Sequence, residues 1–139
     1  MKITVLLKIP GEPIAQGRPR FRKHANFVTT YDPRESKQYK EMVKRIASET
    51  YGLPPIDSAV RMTLDVYKSM PKSFSKAKRE SALKGDLRPS SKPDWDNYAK
   101  GVADALNGVC YVDDGQIVSA TVNKYYSDEP RVEVTIEEV

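Results

Sequence analysis

Ser91-Lys-Pro-Asp-Trp-Asp-Asn-Tyr-Ala-Lys-Gly-Val-Ala-Asp-Ala-Leu-Asn107 carries two patterns at once. Trp95, Tyr98, Ala99, Val102, Ala103 and Leu106 recur at intervals of three and four, the spacing of one apolar helix face. A helix is therefore expected from about Asp94 to Asn107, ended by Gly108. Asp94 and Asp96 open it, where the helix dipole favours negative charge. Lys100 follows Asp96 by one turn, on nearly the same face. Val112-Asp-Asp-Gly-Gln116 then turns the chain, a reversal that would allow Asp114 to return to the acids.

The flanking segments read as an α+β domain. Residues 2–9 alternate as a strand, closed by Gly11 and Pro13. Residues 14–31 have no helical period and read as a basic loop entering a hairpin, with Arg20–Arg22 and Phe27–Tyr31 around a turn near His24–Asn26. Asp32 as N-cap, Pro33 at the first helical position and Glu35 predict a helix start with a capping box. Tyr39, Met42, Val43, Ile46 and Ala47 supply its apolar stripe, and Gly52 its stop.

Val60, Met62, Leu64 and Val66 alternate with polar residues over 59–67, which gives a half-buried strand. Residues 71–85 read as a short basic helix closed by Gly85. Two strands, about 116–125 and 131–137, finish the chain around Ser127-Asp-Glu-Pro130 and are expected to pair antiparallel. The expectation is one domain over residues 1–139, with a mixed sheet packed against helices. No repeat or linker divides it.

Composition excludes several classes. With 39% apolar and 30% charged residues, the chain is neither disordered nor membrane-embedded. No apolar run nears the roughly 20 residues of a membrane span. The N-terminus is too short and too alternating for a signal peptide, so a reduced cytoplasmic setting is expected. The single Cys110 excludes an intramolecular disulfide, and the single His24 a histidine-built metal site. Net charge is +4. Arg18, Arg20, Arg22 and Lys23 cluster beside aromatics, a composition that grips phosphates and stacks on bases. A second basic group, Lys68, Lys72, Lys76, Lys78 and Arg79, serves equally well to track a phosphate backbone or to solvate the surface.

Asp94, Asp96 and Asp114 without His or Cys make a hard, oxygen-rich set suited to Mg²⁺, with Mn²⁺ as substitute. Such an ion reverses the repulsion between carboxylates and a phosphate, and activates a phosphodiester toward water. Lys100 would add positive charge where the transition state needs it. Each part also has a plain structural use. Asp is a common helix cap, Asp96–Lys100 a common surface ion pair, and Asp-Asp-Gly a common turn.

Taken together, Lys92-Pro-Asp-Trp-Asp-Asn97, Lys100, Asp104-Ala-Leu-Asn107 and Asp113-Asp-Gly-Gln-Ile117 resemble the RusA-type Holliday junction resolvases of bacteria and their phages. The close match spans about residues 92–118; elsewhere the likeness is one of layout. The resemblance implies a homodimeric, Mg²⁺-dependent endonuclease making paired nicks in four-way DNA junctions, encoded by a bacterium, prophage or phage. It places the catalytic and metal-binding positions on Asp94, Asp96 and the acidic pair, at Asp114 rather than Asp113, with the functional lysine at Lys100. Trp95 departs from the aliphatic residue usual there and is expected to pack against the core. Two other functions compete: a nuclease for flaps or other branched phage DNA, and a branched-DNA-binding accessory protein whose acids are structural.

Overall fold

The computed structural model describes residues 2–17, 20–31 and 33–139, with residues 20 and 29–31 described by their backbone alone. A four-stranded mixed sheet in the order β1-β6-β4-β5 forms the frame. Its strands are β1 (Thr4–Pro10), β4 (Val60–Ser69), β5 (Ile117–Ser127) and β6 (Arg131–Glu138). β6 runs antiparallel to both β1 and β4, while β5 runs parallel to β4. A separate two-stranded ribbon pairs β2 (Arg20–Lys23) with β3 (Val28–Tyr31), as expected of the hairpin.

The alternation seen in the sequence becomes the core. Val5, Leu7 and Ile9 of β1, Val60, Met62, Leu64 and Val66 of β4, and Val132, Val134 and Ile136 of β6 are all buried on one side of the sheet. The helices α1 (Arg34–Thr50) and α3 (Trp95–Ala105) supply the other half of that core through Tyr39, Val43, Ala47, Tyr98 and Val102. Met42 and Ile46 pack at its margin. Cys110 lies in this core, where burial pushes its thiol up to about 11. No helix among the described residues is long and apolar enough to cross a membrane.

Three expectations need correction. β5 and β6 are not partners, because β4 lies between them. β6 pairs along its length with both β1 and β4, so β5, which leaves Val118 63% exposed, takes the free edge of β4. The bend at 128–130 therefore arches over the end of β4, held by Arg131, whose Nη1 donates to the Glu129 carbonyl (2.9 Å) and Ser127 Oγ (3.3 Å).

At the start of α1, Pro33 occupies the N-cap, not the first helical position, and no side chain caps the helix. The expected cap at Asp32 lies outside the described residues. The third correction is Trp95, which is 60% exposed at the head of α3 and does not pack in the core. The short basic helix does form, as α2 (Lys76–Leu83), capped by Ser75 Oγ, which accepts from the Lys78 N–H. It lies against β5.

Candidate functional site

α3 sets the geometry of the site. Asp94 is its N-cap residue, but its side chain makes no capping bond, and Asp96 stands in the first turn. Both carboxylates are exposed. They line an open groove with Ser90, Ser91, Lys92, Trp95 and Lys124. Lys124 comes from the edge strand β5. Its ammonium donates to the carbonyl oxygens of Ser91 (2.7 Å) and Pro93 (2.9 Å). Burial lowers its pKa and so does Lys68, while Asp94 opposes both. The lysine thus holds the approach to α3 and faces the acid that follows.

On the other side of Asp94, the arm leading to β2 is laid across the two helices. Gln16 N–H donates to the Asn97 carbonyl (2.9 Å), and Gly17 N–H to Ser36 Oγ (2.8 Å). The basic side chains Arg22 and Lys23 at the end of this arm are exposed. Arg18 and the side chain of Arg20 lie outside what the structure describes.

The remaining acids sit at the other end of α3. Lys100 pairs with Asp104 (3.6 Å), one turn further on, and not with Asp96. Asp113 spends its carboxylate on the turn. Its Oδ2 accepts from the Gly115 N–H (2.9 Å), and its own N–H donates to Gln116 Oε1 (2.8 Å). Gln116 Nε2 donates to the carbonyls of Ile56 and Ser58, each at 2.8 Å, which pins the turn beside the start of β4. Among the described residues the Asp114 carboxylate has no such duty.

The three expected acids do not meet in one chain. Asp94 faces Lys124, which pairs in register with Val66 of β4, whereas the turn holding Asp114 abuts Val60, the partner of Ile117. Six strand residues separate those levels, about 20 Å at 3.3 Å per residue. Tyr111 marks the same division. Its hydroxyl donates to the Ala103 carbonyl (2.7 Å) near the end of α3. Burial pushes its pKa well up, and Asp114, Cys110, Asp104 and Asp113 add to the shift. The reversal after α3 therefore leads Asp114 away from Asp94 and Asp96. No group of three or more His, Cys, Asp or Glu residues is gathered for a metal ion among the described residues.

What one chain does offer is a pair of exposed carboxylates in an open groove. That donor set fits Mg²⁺, which is held by one or two carboxylates and completes its shell with water and phosphate oxygens. Lys124 was not legible as a site residue. A lone lysine in a strand gives no signal of its reach to a loop some thirty positions earlier.

The family model for endodeoxyribonuclease RusA matches residues 10–137, nearly the whole chain. The chain is also similar to the uncharacterized protein YqaN of Bacillus subtilis (strain 168), with 52% identity over 131 residues, 93% of this chain and 92% of that one.

Proposed function

The chain belongs to the RusA family of endodeoxyribonucleases, and we propose that it resolves four-way DNA junctions as a two-fold dimer dependent on a divalent cation, Mg²⁺ by preference. The observation that carries this reading is the pair Asp94 and Asp96 at the head of α3, where Asp94 makes no side-chain capping bond, open to a groove that Lys92 and Lys124 also line. Asp114 completes the set from a second chain. A two-fold axis crossing α3 near its middle would carry the partner subunit's Asp114 toward Asp94 and Asp96, and would do the same in reverse. Each acid group also has an exposed apolar neighbour, Trp95 at 60% and Val112 at 59%, so the same operation matches apolar surface with apolar surface.

A bound divalent cation supplies charge neutralisation at the phosphate and a more acidic water. The residues of the chain do the rest. Asp94 and Asp96 hold oxygen donors at the groove wall. Lys124 fixes the backbone that presents Asp94. Lys100, exposed on the face between the acid groups, adds positive charge at the leaving oxygen. Arg18, Arg20, Arg22 and Lys23 reach for phosphates of the junction arms, so recognition rests on backbone and shape. A soluble location in the cytoplasm of a bacterium, with the gene carried by the host, a prophage or a phage, suits such an enzyme.

The experiment is subunit complementation on a synthetic four-way junction, with duplex as control and chelator as blank. Asp96→Asn and Asp114→Asn should each abolish metal-dependent nicking alone. Mixed and re-equilibrated, they should regain cutting, because half of the mixed dimer's sites are wild type throughout. Continued silence in a demonstrated mixed dimer would show that the acids act within one chain. Tight junction binding by wild type without cutting in any divalent metal would instead favour the accessory-protein reading.

A further inference from the structure

Across the strand ends nearest the groove runs a row of four side chains. Arg88 lies over the ring of Tyr125, 4.2 Å from its centroid. Tyr125 stacks on Tyr67 across the β4–β5 pair, with centroids 5.2 Å apart. Arg131 covers Tyr67 at 3.9 Å. Stacked guanidinium groups are stabilised by the ring quadrupole and lose little further freedom on meeting an anion.

The two arginines have different fates. Arg131 is consumed: Nε bonds to Glu133 (3.0 Å), and Nη1 bonds to Ser127 and Glu129. Arg88 uses only Nε, which donates to the carbonyl of Lys124 (2.8 Å). Arg88 is exposed, and among the described residues it has no carboxylate partner. Its outer N–H groups are left aimed at solvent from a fixed plane.

Lys124 links this row to the groove. Its carbonyl holds Arg88, and its ammonium holds the carbonyls of Ser91 and Pro93, next to Asp94. We infer that Arg88 is a preset clamp for a backbone phosphate of the DNA strand that enters the Asp94–Asp96 groove. The clamp works at a fixed offset from the acids because one residue positions both. The planar fork suits two phosphate oxygens at once, which a lysine at the same place cannot match. This inference rests on the nuclease reading above and adds a contact away from the reacting atoms.

The test measures junction binding with Ca²⁺ in place of Mg²⁺, over a range of salt, together with cleavage kinetics in Mg²⁺. Arg88→Gln should weaken binding about ten-fold and lower the magnitude of the salt slope by about one. KM should rise in parallel, while turnover at saturation falls less than about three-fold. Arg88→Lys should keep the wild-type slope and lose part of the affinity. Thermal melting confirms that each variant is folded.

Unchanged affinity and slope in Arg88→Gln would overturn the clamp. So would a loss confined to saturating turnover, which would mean that Arg88 only pins the loop before α3. If wild type binds junctions and never cuts them, the nuclease reading fails, and the salt slope of Arg88→Gln still decides the clamp.

Discussion

Lys124 Nζ donates to the carbonyl oxygen of Pro93 over 2.9 Å, so the residue before Asp94 is tied to the edge strand of the sheet. A second bond, to Ser91, makes the tie two-pronged. Lys124→Met removes both donors and leaves two carbonyls to water or to nothing. Turnover should fall about ten- to hundred-fold, as when residues supporting a metal ligand are lost, with KM little changed. The melting temperature should drop by only a few degrees, corresponding to roughly 1–2 kcal/mol. Because burial and Lys68 lower the Lys124 pKa, its charge is lost at a lower pH than an ordinary lysine would lose it. The wild-type pH–rate profile should therefore fall on its alkaline limb, and that limb should be missing in Lys124→Met.

Gly17 is where the basic arm crosses α1. A Cβ there would lie 2.8 Å from Pro33 Cγ and 3.1 Å from Ser36 Oγ. Its N–H already donates to that hydroxyl. Gly17→Ala must push the arm outward, at a cost of about 1–3 kcal/mol, and carry Arg22 and Lys23 with it. Junction affinity should fall along with stability. Gly52→Ala is the control, since nothing lies within 4 Å of a Cβ at that position. It should melt like wild type and bind like wild type; equal effects from the two substitutions would show that the close approach at Gly17 does not matter.

Much of this architecture was legible because burial leaves a period of two or of three and four. Val60, Met62, Leu64 and Val66 announced β4, and Tyr98, Val102 and Leu106 announced the inner face of α3. Trp95 fits the same helical period yet lies exposed, because a period describes a face and not how far the partner surface extends beneath it. The strand order was not legible either. Ser127-Asp-Glu-Pro130 looks like a hairpin bend, and only the weak burial of β5, with Val118 outside, shows that β4 takes the central place. The sequence expectation that a reversal would return Asp114 to Asp94 and Asp96 had no local signal to correct it. Sequence distance from Asp96 to Asp114 is silent about the direction of β5. The Arg88–Tyr125–Tyr67–Arg131 row depends on strand register, which no local pattern reveals.

Lys100 is 64% exposed in its side chain and, among the described residues, held only by Asp104 at 3.6 Å, an i,i+4 surface pair worth little to stability. Its value should then be chemical. Lys100→Ala is expected to melt within a degree or two of wild type and to bind junctions within about three-fold, while turnover falls at least ten-fold. Asp104→Asn frees the same ammonium and should leave turnover at or above the wild-type rate. An unchanged rate in Lys100→Ala would remove the lysine from the mechanism.

Trp95 is the single tryptophan, so its emission reports one place. In an isolated chain it is 60% exposed and should emit as a solvated indole. In the proposed two-fold arrangement it would meet the partner subunit's Val112, and its emission should shift to the blue and resist acrylamide as concentration rises. Asp94, Asp96 and an incoming Asp114 repel one another until a cation joins them. On that proposal Mg²⁺ binds the dimer in preference to the monomer, and by linkage it tightens the dimer by about 2.7 kcal/mol for each of its two sites at a hundred times the site's dissociation constant. Chelator should move the blue shift to higher protein concentration by up to about four decades, and Asp114→Asn should abolish that metal dependence while sparing the apolar contact. An emission spectrum that is solvent-like at every concentration, with or without Mg²⁺, would place Trp95 outside any interface and refute the pairing with Val112.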